Sequence, residues 1–305
     1  MKNYVVNISG GRSSGYMVPL FEQKRIVEDI NVEYIFCDTG AEHPATYEFL
    51  RRIVEHWGID LTCLRTVVSP IKGVGSRYRV VPLSECKQDL EPFFDYIKVY
   101  GTPAPDIGRC TDEMKAIPCD KYCNEKYGRG SYTKWLGIRA DEPNRIRLVD
   151  KQIDLFGEGK KVRPELLPLR YLGEIDDSDK QDILEFWKAQ PFDLEITEEL
   201  GNCVFCPKKG VNKIALAARK EPEMAQSFID ILESTKTRSH PSKIKAGLSN
   251  GQVFRGRMDL HSVIKAHEGI ETSDLENMIQ KGRKFDTGSC SESCEAMTVD
   301  LFSGD

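Results

Sequence analysis

The chain has 305 residues, of which 40% are hydrophobic and 30% charged, with a formal net charge of −5. That composition supports a packed core and excludes disorder as the default, and the length suits an α/β unit with an appendage as well as two domains of ~100–200 residues. With no overall basic bias, a nucleic-acid substrate must be met by a local patch.

In chain order, Tyr4-Val5-Val6-Asn7-Ile8 reads as a buried strand that feeds a tight Ser-Gly-Gly turn. Residues 15–28 read as helix, with Pro19 confining the regular part to the residues after it. The run Val32–Cys37 is a second strand that stops at Asp38-Thr39-Gly40. Pro44 opens a helix with Phe49, Leu50, Ile53 and Val54 on one face. A third strand covers Asp60–Val68, and residues 70–108 read as a mobile or inserted segment. Asp112–Tyr127 reads as a helix bent or restarted at Pro118, Thr133–Ile138 as a fourth strand, and residues 177–189 as an amphipathic helix with Ile183, Leu184 and Trp187 on one side. Strands alternating with helices predict a parallel, doubly wound sheet with helices on both faces. The expected division is an α/β domain over 1–195 and a smaller, more basic and less regular C-terminal region over 196–305. No run of ~18 apolar residues offers a membrane span. The opening MKNYVVNISGG carries no secretion signal, so the expected compartment is the cytoplasm.

The chemistry concentrates in Ser9-Gly10-Gly11-Arg12-Ser13-Ser14-Gly15. Glycines let a backbone approach an anion closely, and the next helix aims its free N–H groups at the same place. Ser9, Ser13 and Ser14 add hydroxyl donors and Arg12 adds charge, at the end of the first strand of an α/β sheet, where ligands usually bind. The GxxxxGK[ST] spacing of a Walker loop is absent. Asp38 would sit near the nucleotide or serve as a turn residue, and Arg139 and Arg145 could meet phosphates in the bidentate manner of a guanidinium.

Ten cysteines are too few for a disulfide scaffold, and clustered thiols in a reducing compartment point to metal or catalysis. Cys37 and Cys63 read as core residues, and Cys86 has no suggestive neighbours. Cys203-Val204-Phe205-Cys206 can bring two thiolates to one metal centre, and Cys110 adds a third from a distant segment. A 4Fe–4S cluster or a zinc site would use these thiols, with Cys119 or Cys123 as the fourth ligand or with one iron left open. The tail Cys290-Ser291-Glu292-Ser293-Cys294 is a flexible Cys-x₃-Cys whose Cys294 could be a nucleophile or a bystander. His43, His56, His240, His261 and His267 form no metal-spaced pair. Lys208-Lys209, Lys213, Arg219 and the Lys/Arg-rich stretch 236–257 could face nucleic acid, the commoner alternative being a solvated helix face.

The Ser9–Ser14 loop resembles the PP-loop of the ATP pyrophosphatase superfamily, pattern SGGxDS, with Ser13 standing where the pattern has Asp. The wider likeness is to the branch of phosphoadenosine phosphosulfate reductases and DNA-phosphorothioation sulfurtransferases. It is carried by Cys37–Gly40, Glu42-His43-Pro44, Gly137–Glu142, Leu167-Pro168-Leu169 with the Trp187 helix, and Cys110-Thr111 with Lys115. It implies a Rossmann-like sheet of the adenine nucleotide α-hydrolase kind, with Ser9–Ser14, Asp38, Gly137 and Arg139 around ATP or an adenylyl sulfonucleotide. In that reading Asp38, Arg139 and Cys294 take part in catalysis. It further implies adenylylation with Mg-ATP and then sulfur transfer, or reduction of a sulfonucleotide. The partners would be a nucleic-acid, nucleoside or small-molecule substrate and a sulfur or electron donor, and a homo-oligomer is compatible. A nucleotide- or nucleic-acid-binding protein with a structural metal is the non-enzymatic alternative. The reductase reading lacks its ECGLH-like motif in this chain.

Overall fold

The computed structural model describes residues 1–105, 109–147, 149–150, 169–234, 236–238, 254–255 and 257–282. Six strands form one sheet: β1 (Lys2–Asn7), β2 (Ile30–Asp38), β3 (Leu61–Val67), β4 (Arg77–Val81), β5 (Tyr132–Leu136) and β6 (Leu169–Tyr171), in the order β4-β3-β2-β1-β5-β6. β1 pairs in parallel with β2 and β5, β2 with β3, and β5 with β6, while β4 runs antiparallel to β3. The chain is thus α/β with a mostly parallel sheet. From β1 the chain steps outward through β2 and β3, then returns to the other side of β1 with β5, so strand order reverses at the β1/β5 boundary.

Side chains alternate across a strand, and strands covered on both faces are apolar throughout. Val6, Tyr34, Phe36 and Cys63 face one layer, while Val5, Ile35, Cys37 and Leu64 face the other. The first layer contains α1 (Arg12–Val27), α2 (Pro44–Trp57) and α5 (Lys180–Ala189). Its densest point is Trp187, fully buried, with Phe49, Trp57 and Phe192 edge-on or tilted at centroid distances of 4.7, 5.8 and 5.8 Å. Gly15 makes that density possible, since a Cβ there would stand 2.9 Å from both Ile53 and Trp187. The other face is covered by α4 (Ile117–Tyr127), whose Cys119 and Cys123 pack on Cys37 and Tyr132.

Several elements differ from expectation. α1 begins at Arg12 and runs through Pro19 without a break. The proline removes one N–H donor, but burial of Met17, Val18 and Phe21 against the sheet holds the helix through it. Within 70–108, expected to be mobile or inserted, the chain forms β4 and α3 (Glu91–Tyr100). Asp112–Ala116 is a π-helical turn leading into α4, with Pro118 in the first turn of α4, where a missing N–H costs little. α2 is as read: Pro44 sits at its start, His43 accepts from Ala45 N at 3.1 Å, and left-handed Gly58 ends it.

Past residue 200 the chain is more regular than its composition suggests, with α6 (Val211–Lys220), α7 (Pro222–Leu232), α8 (Leu260–Lys265) and α9 (Thr272–Gly282). One core joins residues from both sides of position 195: Ala41, Leu90, Phe93 and Tyr96 pack with Leu200, Val204, Phe205, Phe228 and Phe254. Among the described residues no helix is long and apolar enough to cross a membrane.

Candidate functional site

β1 ends at Asn7, and residues 8–11 carry the chain into α1 at the point where strand order reverses. Gly10 adopts φ +81, and a Cβ there would stand 2.3 Å from Thr46 Cγ2. Both backbone and packing therefore demand glycine. Gly11, the N-cap of α1, has φ −95, an extended conformation open to any residue. A required positive φ is thus found at Gly10 and not at Gly11.

The loop is closed from within. Ser14 Oγ, fully buried, accepts from Ser9 N at 3.0 Å, donates to Gly11 O at 3.0 Å and lies 2.9 Å from Ser9 Oγ. Ser14 is thus a brace of the loop before it can be a ligand donor. Arg12, expected to add charge for an anion, places its guanidinium on Asp193 (2.7 and 3.1 Å) and on Leu194 O (2.6 Å). Trp187 Nε1 donates to Arg12 O at 3.0 Å, so segment 187–194 holds the loop at two points.

Arg139, beyond β5, is the guanidinium that reaches the loop's own side chains. Its Nη1 donates to Ser13 Oγ at 3.2 Å, and its Nε donates to Asp141 at 2.7 Å. Glu142 accepts from Arg139 N at 3.0 Å and from Arg145 Nη1 at 2.8 Å. Gly137 is buried just before it, and Gly173 N donates to Ile138 O at 3.0 Å, pressing the turn after β6 against this loop. Ser9–Ser14 and 137–142 thus meet at the switch point.

At the end of β2, Asp38 is wholly buried. It accepts from Gly40 N (2.9 Å), Tyr47 OH (3.0 Å) and Arg65 Nη1 (2.6 Å). Burial first, then the nearby Glu42, raises its carboxyl to about 6 against the pull of Gly40 N–H and Arg65. Arg65 also reaches Asp89 and Glu91, and Glu42, fully buried, pairs with Lys115 at 3.3 Å. These contacts give Asp38 a turn-and-ion-pair role at the sheet edge.

An open cleft runs along the other side of the loop, lined by Gly10, Gly11, Arg12 and Thr46 and, opposite them, by Leu194, Ile196, Glu198 and Asn202. Thr46 Oγ1 is buried and, among the described residues, has no hydrogen-bond partner. The CxxC turn continues this wall. Cys203 bridges Glu42, Val204 N donates to Ala41 O (3.1 Å), and Cys206 N donates to Cys203 O (3.2 Å). The Cys203 thiol is pushed up by burial and then by Cys206 and Glu42, with a smaller contribution from Cys110, so these three cysteines share one neighbourhood. Buried Lys209 donates to the carbonyls of Glu199, Gly201 and Val204 at 2.7, 2.7 and 2.9 Å, and burial lowers its ammonium to about 8.

Cys119 and Cys123 lie elsewhere, with sulfurs 4.0 Å apart in the cluster that contains Cys37. Hydrogen bonds from Cys123 and Cys37 hold the Cys119 thiol low. Among the described residues no group of three or more His, Cys, Asp or Glu side chains is placed to hold a metal ion. Cys290 and Cys294 fall outside the described residues.

The basic face expected around Lys208–Arg219 is turned inward in large part. Besides Lys209, Lys213 is buried on Glu198 (2.9 Å), and Arg219 donates to His267 O (2.6 Å) and to Ile270 O. The rest of that expectation, 236–257, is mostly outside the described residues. Sequence reasoning missed Thr46, Arg65 and Asp193, and it took Lys209 for a surface cation. Arg65 had a signal, a lone cation in the apolar run LTCLRTV. Asp193 had none, its partner being 181 residues away.

No family model matches the chain, and no solved structure matches it. The uncharacterized nin region protein ORF290 of Escherichia phage lambda is 41% identical over 294 residues, covering 95% of this chain and 94% of that protein. Two uncharacterized proteins of Methanocaldococcus jannaschii are more distant. MJ0066 is 28% identical over 141 residues (46% of this chain, 24% of that protein) and MJ0973 is 22% identical over 241 residues (76% and 48%). On the likeness that spans nearly the full length of both chains, this protein belongs to the family of the phage lambda nin region protein ORF290.

Proposed function

We propose that the chain is a nucleotide-dependent enzyme of the PP-loop kind, built on a Rossmann-like sheet, that holds the phosphates of an adenine nucleotide on Ser9–Ser14. The observation that carries this reading is the meeting of Arg139 with Ser13 at the strand-order reversal, where open α/β sheets take their ligands. The start of α1 offers backbone N–H groups there, Gly10 lets the backbone come close, and Arg139 supplies a guanidinium already oriented by Asp141.

In the reaction this supports, a substrate oxygen attacks the α-phosphate of ATP and pyrophosphate departs. A sulfur nucleophile then displaces AMP. Backbone N–H groups and Arg139 would stabilise the phosphate charge that develops, and the fold brings a thiol, Cys203, to the same edge through its bridge to Glu42. No step is assigned to a metal. A second reading takes an adenylyl sulfonucleotide as the ligand, since the same N–H groups, hydroxyls and guanidinium suit its phosphate.

Calorimetric titration with ATP and with adenosine phosphosulfate tests both. Wild type should bind at least one of them. Arg139→Gln should weaken that binding roughly 10- to 150-fold, the equivalent of about 1.5–3 kcal/mol for a hydrogen bond to a charged group. Binding of neither ligand, or equal binding by the variant, would sink the reading. Pyrophosphate release then separates ATP chemistry from sulfonucleotide chemistry.

A further inference from the structure

β3 and β4 form an antiparallel hairpin, from the pair Val67–Arg77 to the pair Cys63–Val81. Its connection leaves the end of β3 at the same sheet edge as Ser9–Ser14 and Asp38, since β1, β2 and β3 are parallel. The segment 68–81 contains three cations, Lys72, Arg77 and Arg79, and no acid. All three are exposed and, among the described residues, none has an ion pair or a side-chain hydrogen bond. Arg65, the register neighbour of Arg79, is taken up by Asp38, Asp89 and Glu91. Since none of the three is ion-paired among the described residues, all are open to an anionic partner.

The hairpin's loop is tied down where it enters β4. Ser76 N and Oγ donate to Glu113 at 3.0 and 2.9 Å, and Lys121 Nζ donates to the carbonyls of Gly75 (3.1 Å) and Ser76 (2.7 Å). Tyr78 packs edge-on against Tyr122 at 5.4 Å and bonds Glu125, fixing which face of β4 turns inward. Arg77 and Arg79 therefore share the opposite face. Their separation along an antiparallel strand is about 6.8 Å, two residues of rise, comparable with the spacing of neighbouring phosphates on a nucleic-acid strand. Ile71 and Val74 stand at the tip, 65% and 61% exposed, where unstacked bases could rest.

We propose that this hairpin grips the sugar–phosphate backbone of a single nucleic-acid strand, with Lys72, Arg77 and Arg79 on successive phosphates. The inference goes beyond nucleotide binding and stands independently of it. A membrane anchor would set its cations around Ile71 and Val74, where Lys72 stands by itself, whereas Arg77 and Arg79 run down the strand away from the tip.

The test is fluorescence anisotropy with a labelled oligothymidylate at 50 to 200 mM salt. Three phosphate contacts at about 0.7 ions each give a log–log slope near −2, a roughly twenty-fold loss of affinity over that range. Lys72→Ala/Arg77→Ala/Arg79→Ala should abolish most of the binding and the slope, while its circular dichroism and its nucleotide titration match wild type. Lys2→Ala/Lys188→Ala/Lys265→Ala removes the same charge from exposed positions elsewhere and should keep the binding. Any of four results overturns the proposal: no binding by wild type, unchanged binding by the hairpin variant, equal loss in the control, or a preference for anionic phospholipid vesicles. The ATP titration run on the same samples reads the nucleotide site separately.

Discussion

Replacing Gly10 by alanine adds one methyl group to the most constrained point of the phosphate loop. At φ +81 a side chain costs about 1–2 kcal/mol in backbone strain. The added Cβ would also lie 2.3 Å from Thr46 Cγ2, and forcing an extra methyl into a packed site costs about 1–3 kcal/mol. The sum is roughly 2–5 kcal/mol, most of it local to the start of α1. Thr46→Ser keeps the hydroxyl but removes the methyl that collides. It should cost about 1 kcal/mol alone, as deletion of one buried methyl does, and should relieve the steric part in the double variant. Urea denaturation of wild type, both single variants and the double variant closes the cycle. A coupling of about 1–3 kcal/mol in favour of the double variant is expected. ATP affinity should fall in Gly10→Ala and return in part when Thr46 is serine. Additive stabilities, or a Gly10→Ala protein as stable as wild type, would refute the packing argument.

Asp38 makes the fold sensitive to pH in an unusual direction. Its folded carboxyl titrates at about 6, above its unfolded value, so the folded state holds the extra proton and this group's contribution declines as pH rises from about 4 to 6. Asp38→Asn should remove that decline, and denaturation curves of the two proteins across this window check it; parallel curves would refute it. Lys209→Met leaves three buried carbonyls without their donor and should cost at least about 2 kcal/mol, with faster amide exchange in residues 199–206. Unchanged exchange there would show that Lys209 does not organise the CxxC turn.

What the sequence discloses here is what is local. Val5 and Val6 can be read as a buried strand because both faces of the sheet are covered, and Ser-Gly-Gly can be read as a turn because few residues other than glycine adopt φ +81. Pro44 marks the start of α2 for an equally local reason. Pro19 misleads because the burial of Met17, Val18 and Phe21 outweighs one lost hydrogen bond, a balance that depends on the sheet beneath. Arg12 looks like an unpaired cation until Asp193 is brought beside it. Lys209 and Lys213 look like surface charge until carbonyls and Glu198 close around them. Cys119 and Cys110, nine residues apart, face different clusters because a π-turn and a helix lie between them. In each case the deciding partner is distant in sequence, and periodicity cannot name it.

The bond between Arg12 and Asp193 also has a consequence in time. On a ribosome that adds roughly 5–20 residues per second, the 181 residues between them take about 10–35 s to make. For that interval β1 and the loop exist while their fastening, including the indole of Trp187, does not. The loop that emerges among the first parts of the chain is therefore among the last to acquire its final shape, and nascent chains that end before Asp193 carry it unfastened.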